Sequence, residues 1–158
     1  MKIAISGTPA TGKTEVAKAL AKRLKWRFVE LNKLAEDRGL YSGYDEKRKC
    51  KLVDIKTLVY EVDKIHGDLI IESHYAHDIP CDVIIILRTN PAELRKRMNA
   101  KGWSKEKVEE NLEAEIMGVC REEAKDSGKP VFEFDTTKKG ARKVAEEIQL
   151  TLKRLDLI

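Results

Sequence analysis

The chain reads as an α/β protein of the phosphate-loop class, a five-stranded parallel sheet with helices on both faces, and three observations predict it. Short apolar runs alternate with stretches of helical periodicity along the whole chain. The strongest run, Asp82-Val83-Ile84-Ile85-Ile86-Leu87-Arg88, is continuously apolar, as a strand covered on both faces must be. Between the first strand and the first helix lies Gly7-Thr8-Pro9-Ala10-Thr11-Gly12-Lys13-Thr14, which fits G-x-x-x-x-G-K-[ST]. With 158 residues the chain makes one domain spanning 1–158.

The elements follow in order. Lys2–Ser6 is a short apolar run suited to a buried strand, and Thr14 opens a helix with Val16, Ala17, Leu20, Ala21 and Leu24 on one face. A triphosphate needs many donors at short range. Successive backbone N–H groups and the positive end of a helix supply them, and small residues let that backbone wrap the anion. ATP and Mg²⁺ are the expected cofactors: Lys13 reaches the β- and γ-phosphates, and the Thr14 hydroxyl is a ligand to Mg²⁺. The nucleotide-contacting set here is Ala10, Gly12, Lys13, Thr14 and Glu15. Arg27–Leu31 reads as the second strand, with Asn32 capping a helix over Leu34–Arg38. Gly39–Lys49 has neither period and reads as a long exposed loop. Asp54 caps the next helix, with Leu58, Val59, Val62 and Ile65 on its buried face and Gly67 ending it. The excursion from Leu31 to Val53 far exceeds a common α/β connection of about two to six residues, which points to function.

Asp68–Glu72 is the third strand, and Ser73–Cys81 a polar turn rich in proton-active groups: His74, Tyr75, His77 and Asp78. After the Asp82–Arg88 strand, Asn90 and Pro91 start a helix as cap and first-turn proline, and that helix carries Arg95, Arg97 and Lys101 up to Gly102. Ser104 caps another helix without a reciprocal glutamate, since Lys107 stands three residues on. This helix is expected to run to Ser127, with Leu112, Ile116 and Val119 on one face and Gly128 as its stop. Val131–Asp135 is the fifth strand, and Thr136–Gly140 links it to a last helix bearing Val144, Ile148 and Leu152. Ligands of such sheets bind at the carboxyl ends of the strands, where the phosphate loop, Leu31, Glu72, Arg88 and Thr136 all fall.

Glu72 is placed to orient magnesium, usually through water. His74 alternates to the same side if the strand continues, and is a candidate to polarise a water or a phosphate oxygen near neutral pH. Phosphoryl transfer needs mobile cations over developing charge, and Arg88, Arg97 and Lys101 are the candidates. A guanine-specific Asn-Lys-x-Asp is missing late in the chain; the early Asn32-Lys33-Leu34-Ala35 lacks the Asp. Cys50, Cys81 and Cys120 form neither a disulfide framework nor a zinc site. A net charge of +4 permits nucleotide or nucleic-acid contact without demanding it, and a charged fraction of 37% hints at an ion-paired surface. With no apolar run near ~20 residues and no leader before the first strand, a cytoplasmic protein with no membrane contact is expected.

Several further tracts carry a resemblance: Leu40-Tyr41-x-Gly43-Tyr44-Asp45, Glu72-x-His74, Leu87-Arg88-Thr89, and Lys101-Gly102-Trp103 with Asn111 and Glu115. Together with the phosphate loop they resemble adenylate kinase isoenzyme 6, the coilin-interacting nuclear ATPase family, in its archaeal form. The resemblance covers nearly the whole chain. It implies a nucleoside monophosphate kinase domain with strand order 2-3-1-4-5, a monophosphate-binding segment at 30–53 and a short lid at 100–110. It also implies AMP or another nucleoside monophosphate as acceptor, Lys139 beside the adenine, ATPase activity, and a role in small ribosomal subunit maturation. The partners would be a platform ribosomal protein and pre-ribosomal RNA. The chain departs from the pattern at Ala10, which replaces a glycine and suits only a negative φ, and at Glu72 in place of Asp. Glu36 stands where relatives carry Arg, with Arg38 two residues on, and Lys101 replaces the lid Arg.

Overall fold

Isoleucine-rich strands buried on both faces form the centre of the computed structural model, which describes residues 1–158. The elements are β1 (Lys2–Ser6), α1 (Lys13–Leu24), β2 (Arg27–Glu30), α2 (Leu31–Arg38), β3 (Tyr41–Asp45), β4 (Cys50–Val53), α3 (Ile55–Asp63) and β5 (Leu69–Glu72). A 3₁₀ turn at Ala76–Asp78 leads to β6 (Val83–Arg88), α4 (Pro91–Ala100), α5 (Lys105–Met117), α6 (Val119–Lys125), β7 (Val131–Asp135) and α7 (Ala141–Arg154). The main sheet has five parallel strands in the order β2-β5-β1-β6-β7; counted among themselves these run 2-3-1-4-5.

The alternation of side chains divides the core in two. Ile3, Ile5, Ile70, Val83, Ile85 and Leu87 pack under α1 and α7, while Ala4, Leu69, Ile71, Ile84 and Ile86 pack under α2, α3, α6 and the 3₁₀ turn. A third, small cluster of Leu94, Met98, Val108 and Leu112 joins α4 to α5, with Ala10 and Trp103 packed against it. No helix is long and apolar enough to cross a membrane.

Three expectations are corrected. Gly39–Lys49 is no open loop: it contains β3, which pairs antiparallel with β4 as a separate two-stranded sheet. Its residues are mostly exposed on both sides and its register shifts between Tyr41 and Gly43, so no alternating apolar signal exists to be read. α2 starts at Leu31 rather than after Asn32, because Leu31 is buried as its first residue; the Asn32 side chain instead accepts a 2.8 Å hydrogen bond from the Tyr75 hydroxyl. The long helix expected up to Ser127 breaks at Gly118, whose φ of 65° ends α5 and starts α6. The change of direction leaves Ile116 and Val119 65% and 37% exposed instead of buried. The caps Asp54, Asn90 and Ser104 are as expected, each accepting from a first-turn N–H.

The loop between β1 and α1 has two demanding positions. At Gly7, φ is 145° and an added Cβ would lie 2.6 Å from the Leu87 carbonyl oxygen of β6, so only glycine lets the loop start this close to the sheet. Ala10 sits at φ 71°, against the expectation that its methyl requires a negative φ. The methyl packs on the small cluster between α4 and α5, which offsets a left-handed strain of about 1–2 kcal/mol. Gly7→Ala is expected to cost about 2–4 kcal/mol through strain and overlap. Urea unfolding checks this, and a midpoint equal to wild type would refute the close-approach argument.

Candidate active site

The carboxyl ends of β1, β5, β6 and β7 converge on the loop Gly7–Gly12. The Thr8 carbonyl accepts three hydrogen bonds, from Thr11 N (3.3 Å), Thr11 Oγ1 (2.8 Å) and Lys13 Nζ (3.1 Å). α1 begins after Gly12 at φ 89°, and no side chain caps it. Its first-turn N–H groups are therefore available to an anion, with the positive end of the helix behind them. Lys13 is not the exposed loop lysine that a glycine turn implies; only 8% of it is accessible. Burial pulls its pKa down, and the Glu72 carboxylate opposes that shift through space.

Glu72, at the end of β5, is 4% exposed, and its Oε2 accepts a 3.0 Å hydrogen bond from Thr14 Oγ1. Burial pushes its pKa up, while Lys13 and the Thr14 hydroxyl restrain it. Two hard oxygens side by side suit Mg²⁺, which keeps its remaining positions for water and phosphate oxygens. No group of three His, Cys, Asp or Glu is gathered anywhere in the structure.

β5 ends at Glu72, so His74 is not the next residue on the same strand face but part of the turn that follows. It nevertheless stays near the loop: its carbonyl accepts from Ser6 Oγ at 3.1 Å, and its ring meets Tyr75 edge-on at 4.9 Å. His74 is exposed to solvent on one side, but desolvation by the surrounding turn and then the Lys13 charge pull the imidazole down to about 4, so at neutral pH it is uncharged. Lys101, the C-cap of α4, lies with its ammonium 5.5 Å from the Trp103 ring, and its charge also reaches Lys13. Glu15 is exposed on the outer face of α1, 3.9 Å from Lys18.

The two expected mobile arginines are held in place. Arg88 donates from Nε to Glu115 Oε1 (2.6 Å), from Nη2 to the Glu115 carbonyl (2.7 Å) and from Nη1 to Glu133 Oε2 (3.0 Å). Arg97 donates to the carbonyls of Thr136 (2.8 Å), Thr137 (3.4 Å) and Ala10 (3.4 Å), and so clamps the phosphate loop to the end of β7. Lys139 is turned away to Glu147 on α7 at 2.8 Å. Carboxylates and carbonyls nearby in space, though distant in sequence, take these donors.

Other contacts of the site leave no local signal in the sequence, though Glu115 and Thr136 stand out there, one by resemblance and the other by its place at a strand end. Buried Glu115 accepts from Thr8 Oγ1 (2.6 Å) and Thr89 N (3.1 Å) as well as from Arg88. Thr136 Oγ1 donates to the Thr11 carbonyl at 2.8 Å. His77, seen in the sequence only as one of several polar turn residues, is buried between Ser6 Oγ (2.7 Å from Nδ1) and Glu123 Oε2 (3.0 Å from Nε2). Ser6 is fully buried, so this trio braces the loop's base and does not present a nucleophile. A groove of about 480 Å³ between α4 and α5 is lined by none of the loop residues.

Between the ordinary histidine value of 6.5 and about 4, unfolded His74 binds a proton that the folded form lacks. Its contribution to stability is therefore lost as pH falls through that window. His74→Ala is expected to flatten this part of the curve, measured by urea unfolding between about pH 4 and 7; an unchanged slope would refute it.

Comparison with known proteins agrees with this geometry. The AAA domain family profile matches residues 3–118. A Methanosarcina barkeri protein named "Putative adenylate kinase" is 39% identical over 154 residues, covering 94% of this chain and 84% of its own. A Thermococcus onnurineus protein of the same name is 38% identical, covering 97% and 84%. In fold, the chain is similar to shikimate kinase from Acinetobacter baumannii (TM-score 0.71, 12% identity, covering 99% and 95%). It is also similar to deoxyadenosine kinase from M. mycoides (TM-score 0.60, 16% identity, covering 98% and 100%). With an uncapped phosphate-loop helix, a buried lysine and relatives of this identity along nearly its whole length, the chain belongs to the nucleoside monophosphate kinase family that these archaeal proteins represent.

Proposed function

We propose that the protein transfers the γ-phosphoryl group of MgATP to AMP or a similar nucleoside monophosphate in the cytoplasm. The observation that carries this reading is the buried Lys13 ammonium at the uncapped start of α1, beside the Thr14–Glu72 pair. Lys13 would cover charge on the β- and γ-phosphates, and Thr14 and Glu72 would hold Mg²⁺, which would offset further phosphate charge. The acceptor segment 30–53 corresponds to α2 and the β3–β4 hairpin. Its tip meets the lid segment 100–110, where Arg48 donates to Glu110 from Nε (3.1 Å) and Nη2 (3.0 Å). Closure of the two segments excludes water from the transfer. Lys101 supplies the lid cation, and backbone from Thr136 to Lys139 reads the adenine.

A second reading, hydrolysis of ATP as the main reaction, is favoured by the engagement of the arginines. Arg88 and Arg97 are bound as described, Arg38 pairs with Glu61, and Glu36 is exposed, so no guanidinium among these is free for an acceptor phosphate. In this reading ATP turnover drives small-subunit maturation with a platform ribosomal protein and pre-ribosomal RNA; its support is the resemblance carried by Leu40-Tyr41-x-Gly43-Tyr44-Asp45. ADP formation and phosphate release, measured from ATP with and without a panel of monophosphates, separate the two. ADP produced in excess of phosphate only when AMP is present establishes transfer, whereas equal yields throughout establish hydrolysis.

Lys13→Met is expected to lower turnover by about a hundredfold or more. The Met side chain refills the buried stem and removes a desolvated charge, so circular dichroism and the melting midpoint should not fall. Turnover within about threefold of wild type, set against that hundredfold expectation, would sink the phosphate-loop reading. His74→Ala should lower ATP hydrolysis by about tenfold or more, with ATP affinity kept, because a neutral imidazole in the turn facing Lys13 orients water. Unchanged rates of both hydrolysis and transfer would leave His74 a structural residue of the turn.

A further inference from the structure

Thr8 stands between two parts of the site that must act together. Its carbonyl receives the Lys13 ammonium at 3.1 Å, and its hydroxyl donates to Glu115 Oε2 at 2.6 Å. Glu115 lies near the end of α5, the helix that begins at the lid segment, and is only 3% exposed. Removing a carboxylate from water is costly unless its oxygens are matched by donors, and here the match is complete. Oε2 takes the Thr8 hydroxyl, and Oε1 takes Arg88 Nε and Thr89 N. One residue of the loop thus carries the phosphate-binding lysine on its backbone and the lid helix on its side chain.

Two other contacts run parallel to this one. Arg97 on α4 donates to the Ala10 carbonyl, and the Ala10 methyl packs against the α4–α5 cluster that also supports Trp103. Beyond Glu115, α5 ends at Gly118 in a left-handed conformation, and the Arg88 guanidinium lies 3.5 Å from where a Cβ on Gly118 would stand. The chain bends there, and α6 goes on to brace His77 through Glu123. Movement of α5 therefore cannot leave the loop undisturbed.

We propose that Glu115 is a positioning residue, coupling the lid segment to the phosphate loop through the Thr8 hydroxyl, so that lid closure aligns Lys13. The proposal rests on the lid and nucleotide assignments made above. Glu115 holds Thr8 and keeps Arg88 at the side of the site; when α5 shifts, the Thr8 backbone and the ammonium attached to it shift with it. The coupling needs a hydroxyl at position 8 and a carboxylate at position 115, not merely filled volume.

The test uses a Trp26→Phe background, in which Trp103 is the sole remaining tryptophan of the two in the chain and reports on the lid segment. Thr8→Val keeps shape and removes the donor; Glu115→Gln keeps shape and removes the charge. Each is expected to bind MgATP within about threefold of the parent, to lose about tenfold or more in kcat, and to lose the Trp103 emission change on MgATP addition. Thr8→Ser should restore most of the rate and the emission change. Should Glu115→Gln fail to fold, the two Thr8 variants still decide the matter. Parent-like kcat and emission response in Thr8→Val would overturn the coupling, as would equal impairment of Thr8→Ser and Thr8→Val, which marks a packing role. A parent protein that does not bind MgATP would overturn the nucleotide reading itself and the coupling with it.

Discussion

The site depends on keeping two opposite charges out of water without letting them neutralise each other. Burial presses the Lys13 ammonium and the Glu72 carboxylate toward their uncharged forms, and each partly protects the other's charge through space. Neither takes the other as a hydrogen-bond partner: Lys13 bonds the Thr8 carbonyl and Glu72 receives the Thr14 hydroxyl. An anion at Lys13 and a cation at the Thr14 and Glu72 oxygens would complete both environments and would relieve that burial penalty. β1 and β5 are neighbours in the sheet with Ile5 level with Glu72, and this pairing brings the two charges to one edge.

Around that pair the structure uses cations as braces. Arg88 joins β6 to α5 and β7 through Glu115 and Glu133, and Arg97 joins the loop's Ala10 carbonyl to Thr136 and Thr137 after β7. Buried polar networks are costly when incomplete and rigid when complete, and no buried side-chain polar atom here lacks a partner. Rigidity of this kind holds a phosphate loop ready. It also occupies the Arg88 and Arg97 guanidinium groups with acceptors of the protein itself.

The same architecture is similar to a shikimate kinase and a deoxyadenosine kinase at 12% and 16% identity, a likeness of fold and not of function. Outside that shared frame lie α2, the exposed β3–β4 hairpin and the segment around Trp103. The first diverges from the implied family pattern at Glu36, and the third at Lys101.

Local chemistry was enough to read most of the frame. Continuous apolar runs marked β1, β5 and β6, and capping residues marked α3, α4 and α5, because burial on two faces and first-turn N–H groups constrain residue type directly. The placement of the phosphate loop, Lys13, Thr14 and Glu72 was legible for the same reason: it follows from residue type and position at a strand end. The β3–β4 hairpin was not, since its strands bury neither face, and the break at Gly118 was not, since a glycine within a helical pattern does not announce its φ. The depressed pKa of His74, the parking of Arg88 on Glu115, the turn of Lys139 to Glu147 and the Ser6–His77–Glu123 brace depend on groups up to 71 residues apart. Only the tertiary structure could decide them, because charge and hydrogen-bond partners act through space, whereas a sequence records neighbours along the chain.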